Sequence, residues 1–98
     1  MKMIGLAALL ALSNSATAAE LTPLENGLVG CMYYIASDTT RRIGRYDAAI
    51  IGKDTLHSCV SQYGLLLKAE GESKTRAALW FGLGVVDYAH VHGVDGFR

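Results

Sequence analysis

Residues 22–35 read Thr-Pro-Leu-Glu-Asn-Gly-Leu-Val-Gly-Cys-Met-Tyr-Tyr-Ile, and this stretch decides the fold. Its first residues are typical of a helix start, because the Thr22 hydroxyl can accept from the Glu25 amide while the Glu25 carboxylate reaches back. Pro23 suits the first helical position, where its missing N–H leaves no bond unmade. The apolar residues then recur at the i, i+4, i+7 and i+11 positions of one helix face: Leu24, Leu28, Cys31 and Ile35. The stretch therefore predicts a helix that buries a stripe containing Cys31.

The residues before this helix have the three-part order of a secretory signal peptide. Lys2 supplies a basic start, residues 4–12 are apolar, and residues 16–18, Ala-Thr-Ala, fit the small-x-small cleavage pattern. The apolar run is well short of the roughly 20 residues that span a bilayer. An ordinary first helix of the fold is the alternative. We predict a signal peptide at residues 1–19, a single small helical domain at residues 20–98, a periplasmic or secreted location, and no stable membrane anchor after signal cleavage.

The second cysteine lies on a second apolar stripe of helical period, for which Asp54 is the predicted N-cap. This stripe contains Leu56, Cys59, Val60, Tyr63, Leu66 and Leu67. Two helices that bury these stripes against each other bring Cys31 and Cys59 together, and an oxidising compartment favours a disulfide between them. The alternatives are two buried free thiols or a redox pair, although the usual Cys-x-x-Cys spacing of such a pair is absent. A loop of this length stabilises a fold by on the order of 3–4 kcal/mol.

The first break between helices is predicted from helix propensity and from a glycine. The first helix is expected to fade at residues 38–41, where Thr39 and Thr40 lower the propensity. Residues 46–51 are predicted to form a short helical turn that ends at Gly52.

The last third of the chain is predicted to hold one more helix. Residues 68–74 form a polar break in which Ser73 is the expected N-cap. Residues 77–91 are nearly all apolar, and we favour a helix here, although two glycines and a Val-Val pair leave a strand open. Residues 93–98 are expected to be loose. The chain is thus predicted to be all-α, a small helical bundle of three to four helices stapled by one disulfide.

Charge and composition argue against several classes of protein. Lys plus Arg and Asp plus Glu are both 9, so the basic excess of a nucleic-acid binder is missing. Two cysteines are too few for a Cys-only zinc site. The content of 51% apolar and 18% charged residues is unlike that of a disordered chain. We find no Gly-x-Ser-x-Gly or phosphate-binding glycine loop, and we predict neither an enzyme nor a cofactor.

His90 and His92, with Asp95, raise the alternative of a metal site. Residues two apart on a helix do not share a face, however. Solvated imidazoles at a polar helix end are therefore the favoured interpretation, and no metal is predicted.

Five residues are candidates for binding a partner protein. Tyr33 and Tyr34 are adjacent on the first helix, so both cannot lie on its core stripe, and we expect Tyr33 to lie off it. Arg41, Arg42 and Arg45 cluster at the end of the same helix. They are interpreted either as a site for an acidic partner or as complements to the negative end of the helix dipole.

Residues 31–35, Cys-Met-Tyr-Tyr-Ile, and residues 56–63, Leu-His-Ser-Cys-Val-Ser-Gln-Tyr, lie on two predicted helices behind the predicted signal peptide. In this arrangement the chain resembles the small periplasmic immunity proteins of type VI secretion amidase effectors. The resemblance covers about half of the mature chain. It implies a helical, disulfide-bonded protein that occludes the active-site groove of a cell-wall amidase, and it carries over the disulfide positions Cys31 and Cys59 alone.

The predicted function is that of an exported inhibitor or immunity-type protein that neutralises a partner by occlusion. The expected partner is another protein, such as a cell-wall-degrading effector, and a homodimer is left open. The alternative function is a periplasmic stress chaperone with conditionally exposed apolar surface.

Overall fold

Helix α1 is the element against which the other helices pack. The structure is a computed structural model that describes residues 20–98, so the predicted signal peptide lies outside the described residues. These residues form α1 (Pro23–Ile43), α2 (Ala48–Ser58), α3 (Val60–Glu70) and α4 (Glu72–Val91), with no strand among them. Helix α1 packs against all three others, whereas the backbones of α2 and α4 do not approach each other closely. The prediction of an all-α bundle with one disulfide is confirmed.

The predicted helix start at Thr22 is confirmed and has a second role. The Glu25 amide donates to the Thr22 hydroxyl over 3.2 Å, and the Thr22 amide donates to the Glu25 carboxylate over 2.7 Å. The same Thr22 hydroxyl donates to the Glu70 carboxylate over 2.9 Å. One threonine therefore caps α1 and also joins its beginning to the end of α3.

The end of α1 differs from the prediction, because the helix continues to Ile43. Thr39 and Thr40 are buried, and the Thr40 hydroxyl donates to the Ala36 carbonyl oxygen over 2.8 Å. Packing and these side-chain bonds outweigh the low intrinsic propensity of threonine. The helix ends at Gly44, whose φ of 82° lies in the left-handed region that favours glycine.

The predicted short turn ending at Gly52 and the predicted N-cap at Asp54 are both wrong. Helix α2 begins after Asp47, which accepts from the amides of Ala49 and Ile50, and it runs through Gly52 to Ser58. Asp54 lies inside α2 and binds residues of α1 instead. Two aspartates were available as caps, and the tertiary contacts of Asp54 decide between them.

The apolar stripe predicted around Cys59 is divided between two helices. Helix α2 ends before Cys59 and α3 begins after it, so the stripe does not follow one continuous axis. Cys59 and Leu66 are buried as predicted, whereas Leu56 and Val60 are exposed.

The favoured prediction of a helix over residues 77–91 is confirmed, because these residues lie within helix α4. The predicted N-cap at Ser73 is wrong, because α4 begins directly after Gly71, and Ser73 lies in its first turn. Gly71 has a φ of 92°, so the polar break shrinks to this single residue. Gly82 allows α4 to approach α1 closely, because a Cβ there would lie 2.6 Å from the Met32 sulfur.

The core consists of two clusters along α1. One contains Leu28, Met32, Cys59, Leu66 and Ala78, with all four residues of the predicted α1 stripe in or against it. The other contains Ala36, Ile51, Val86, Ala89 and Phe97. The expectation of a loose tail is therefore wrong: the Phe97 side chain is 1% exposed, and its carbonyl oxygen lies 2.7 Å from His90 Nδ1. Burial of one large ring fixes the tail.

We predict that Phe97→Ala lowers the free energy of unfolding by about 3–5 kcal/mol, because it empties the centre of the second cluster. Urea unfolding followed by circular dichroism measures this loss. Val94→Ala, in the same tail at a half-exposed position, serves as the matched control and is expected to lose less than about 1 kcal/mol. Equal losses in both variants would contradict the assigned role of Phe97.

Candidate protein-binding surface

The Cys31–Cys59 disulfide forms the base of the candidate site. It joins the middle of α1 to the α2–α3 junction, with the two Cα atoms 5.9 Å apart, and it confirms the predicted pairing. Cys59 lies in the first core cluster and Cys31 packs against it. No free cysteine is left among the described residues, so neither sulfur is available there as a thiolate nucleophile.

An apolar groove of about 220 Å³ lies between α2 and α4, and both helices contribute side chains to its lining. Its floor is formed by side chains of α1 and by the disulfide, and its two walls by α2 and α4. The lining residues include Leu28, Met32, Leu56, Cys59, Leu79 and Leu83. Leu56 is 71% exposed and Leu83 is 41% exposed, so both flank the opening.

The size and chemistry of the groove suit a protein side chain. Small-molecule sites usually enclose about 300–1,000 Å³ and place several polar groups inside. This groove is smaller and almost entirely apolar, which matches the pocket that receives one anchoring side chain of a protein partner.

Polar and charged side chains are present beside the groove on the side of α2. A wider hollow of about 660 Å³ adjoins it and is lined by Lys53, Asp54, Leu56, His57 and Val60. Leu56 belongs to both the groove and this hollow. An apolar centre with a polar edge is the usual composition of a protein interface.

Both tyrosines of the first helix are exposed, but to different extents. Tyr34 is 65% exposed, whereas Tyr33 is 37% exposed and packs against Phe97 with their ring centroids 4.7 Å apart. The contact of Tyr33 with Phe97 was not predicted, because the tail was expected to be loose. Neither tyrosine lines the groove, and their role in partner binding stays a prediction.

The three arginines of the predicted cluster are held by groups of the same chain. Arg41 donates to the Ser37 hydroxyl over 2.7 Å. Arg42 pairs with Asp54 at 3.0 Å and with Asp38 at 3.6 Å, and Arg45 pairs with Asp47 at 3.3 Å. Arg41 and Arg42 also occupy the last turn of α1, which fits the helix-dipole interpretation. Their role toward an acidic partner stays a prediction.

Asp54 is the polar link between α1 and α2. Its carboxylate accepts from the Thr39 hydroxyl over 2.7 Å and from the Arg42 guanidinium over 3.0 Å. The Thr39 hydrogen bond, followed by Arg42, lowers the pKa of Asp54 below its usual 3.8. The bond with Asp54 likewise raises the pKa of Arg42. This link fixes the α2 wall of the groove relative to its α1 floor.

The histidines at the end of α4 have separate contacts. His90 stacks on Tyr46 with centroids 3.8 Å apart, and burial, followed by the charge of Asp87, raises the pKa of Tyr46. His92 packs against Tyr88 with centroids 4.0 Å apart. Within residues 20–98, no group of three or more His, Cys, Asp or Glu side chains is placed to hold a metal ion.

The sequence analysis did not assign the exposed residues of α4 to any site. Trp80, Gly84, Asp87 and Val91 recur at i, i+4, i+7 and i+11, and they form a face turned away from the core. The same helical spacing that revealed the α1 stripe could have revealed this face. However, apolar residues occur on every side of the helix from residue 77, so the sequence alone does not mark out one of its faces.

The chain matches no family model, no curated protein and no solved structure. The resemblance to amidase immunity proteins therefore stays a prediction. Within the part of the chain that the structure describes, no helix is both long enough and apolar enough to span a membrane.

We predict that Asp54→Asn lowers the melting temperature at pH 7 and that this deficit disappears in acid. Because the folded pKa of Asp54 lies below its unfolded value, its stabilisation is complete above about pH 5 and is lost as the pH falls through the folded pKa. Thermal unfolding of both proteins between about pH 7 and pH 2 measures the effect. Asp95→Asn, at a side chain that is 94% exposed, is the control. A deficit that is the same at both ends of the pH range would contradict the charge-based role.

Proposed function

We propose that the protein is an exported binding protein that neutralises a partner protein by occluding its working surface, without catalysis of its own. The observation that carries this proposal is the position of Leu56. It is 71% exposed, it borders both the groove and the wider hollow beside it, and it lies three residues before the disulfide-bonded Cys59. A large apolar side chain that is held rigidly and left in water is typical of an interface centre.

In the proposed complex, an apolar side chain of the partner enters the groove between Leu56 and Leu83. Burying such side chains contributes about 1.5–3 kcal/mol each. Lys53, Asp54 and His57 lie at the edge and orient the partner through polar contacts. The disulfide lowers the entropy lost on binding, because the groove wall is already fixed in the free protein.

The disulfide also supports the proposed export, because such bonds persist in oxidising compartments. In this proposal residues 1–19 direct the chain to the periplasm or to the exterior. The resemblance to amidase immunity proteins suggests a cell-wall-degrading enzyme as the partner, and the groove of that enzyme as the surface that is covered.

We predict that a photo-crosslinking amino acid at Leu56 captures one partner in the native host, whereas the same group at Leu65 captures none. Leu65, on α3, is 58% exposed and lies outside the groove, so it is the matched control. Mass spectrometry identifies the captured protein. Equal capture from both positions, or none from Leu56, would contradict the proposed surface.

An activity assay of the captured partner then tests whether binding of this chain blocks the partner's working surface. If the captured protein is a hydrolase, the purified chain should abolish its activity at an equimolar ratio. Leu56→Asp should weaken this inhibition by about 30-fold or more, and Leu65→Asp by less than about threefold. Binding that leaves the hydrolase fully active would contradict neutralisation by occlusion.

A chaperone is the second candidate, favoured by the number of large apolar side chains that the described residues leave exposed. It requires broad binding of unfolded chains. Suppression of aggregation by the wild type and equally by Leu56→Asp, together with capture of many proteins at both crosslinking positions, would favour the chaperone over the inhibitor.

A further inference from the structure

Helix α4 carries an apolar face that no other part of the described chain covers. We define the α4 outer face as Arg76, Trp80, Gly84, Asp87, Tyr88 and Val91, all of which are exposed. Trp80 is 68% exposed and Val91 is 69% exposed. Leu79 and Leu83 belong to a different flank of α4, where they line the groove. The outer face shares no residue with the groove of the proposed function, although Leu83 adjoins Trp80 and Asp87 on the helix surface.

Gly84 is the residue of this face that the fold of one chain does not explain. Gly82, two residues earlier, faces α1, and a Cβ there would press on the end of the Met32 side chain, whereas a Cβ at Gly84 would meet nothing within 4 Å. Glycine inside a helix is less stable than alanine by roughly 0.5–1 kcal/mol. Its missing side chain leaves a shallow gap on the helix surface, one turn from the exposed Trp80.

We propose that the chain forms a two-fold symmetric dimer in which α4 packs antiparallel against α4 of a second copy. With the symmetry axis at the level of residue 82, Trp80 of each copy lies over Gly84 of the other. Each large ring thus fills the gap that the other copy provides. A two-fold interface places the same patch on both subunits, and this reciprocal fit of large and small residues meets that requirement.

The charges of the outer face select the antiparallel arrangement. Arg76 and Asp87 lie near opposite ends of the face, about three helical turns apart. Antiparallel packing brings Arg76 of one copy beside Asp87 of the other, twice, whereas parallel packing would oppose identical charges. The guanidinium also comes beside the ring of the second copy's Tyr88, a favourable cation–π contact.

The contacts that Arg76 and Asp87 make within one chain do not prevent them from pairing across the proposed dimer. Arg76 pairs with Glu72 at 3.0 Å, with both side chains mostly exposed. Such exposed i, i+4 pairs contribute little and exchange readily. Asp87 has no ion pair among the described residues. One helix pair forms a small interface, so we expect a dissociation constant on the order of micromolar.

Analytical ultracentrifugation across roughly a hundredfold range of concentration around this value tests the proposal on the purified, oxidised chain. Gly84→Leu is the decisive variant. Leucine adds apolar surface and forms helices better than glycine, so it would strengthen any unspecific association. In the proposed dimer it would instead fill the gap at position 84 that receives Trp80 of the other copy. We expect the dissociation constant to rise by at least about tenfold while the melting temperature of the monomer is kept or raised.

The charges provide an independent reciprocal test. Arg76→Asp and Asp87→Arg should each weaken the dimer by about tenfold, and the two together should restore it to within about threefold of the wild type. Leu56→Asp, on α2, should leave the dimer unchanged, although it disables the groove. The two proposals can therefore fail separately.

Three results would overturn the dimer: a wild type that stays monomeric throughout, an association that Gly84→Leu leaves equal or tightens, or charge variants whose combination is as weak as either alone. Circular dichroism of every variant shows whether it is folded, so a misfolded variant is not counted as a dissociated one.

Discussion

The Cys31–Cys59 disulfide is the constraint on which the rest of the structure depends. Domains of roughly this size bury too little apolar surface to be secure without a staple. The bond joins the middle of α1 to the α2–α3 junction, so it sets the positions of three helices relative to one another. It also forms part of the groove floor. Stability and the shape of the candidate binding surface therefore rest on the same covalent contact.

The arrangement of the helices around α1 explains why a groove and several large apolar side chains are exposed at the surface. Helices α2 and α4 both pack on α1, their backbones stay apart, and the groove is the space between them. Thr39 and Arg42 hold α2 to α1 through Asp54, and Met32 fits against Gly82 to set the approach of α4. Each wall is thus fixed to the floor separately. Large apolar side chains that find no place in the two small clusters, such as Leu56 and Trp80, are left in water.

Local patterns predicted the features that local physics controls. The capping box at Thr22 and Glu25, the α1 stripe and the Cys31–Cys59 pairing all follow from spacing, and all are present. The errors arise where distant contacts decide. Asp54 bonds to α1 instead of capping a helix, and Phe97 fills a cluster formed by residues far earlier in the chain. The buried Phe97 packs against one side of Tyr33, so Tyr33 is less exposed than Tyr34. The groove could not be predicted, because it depends on how far apart α2 and α4 lie where both pack on α1.

Removal of the disulfide is the most direct test of its central role. Urea unfolding compares the free energy of unfolding of the oxidised wild type with that of the Cys31→Ala, Cys59→Ala double variant. The double variant has no disulfide to reduce, so its stability does not depend on the redox conditions. The account predicts a loss of about 3–4 kcal/mol, together with loss of hydrogen-exchange protection in α2 before α1. A double variant within about 1 kcal/mol of the wild type, with unchanged protection of α2, would contradict it.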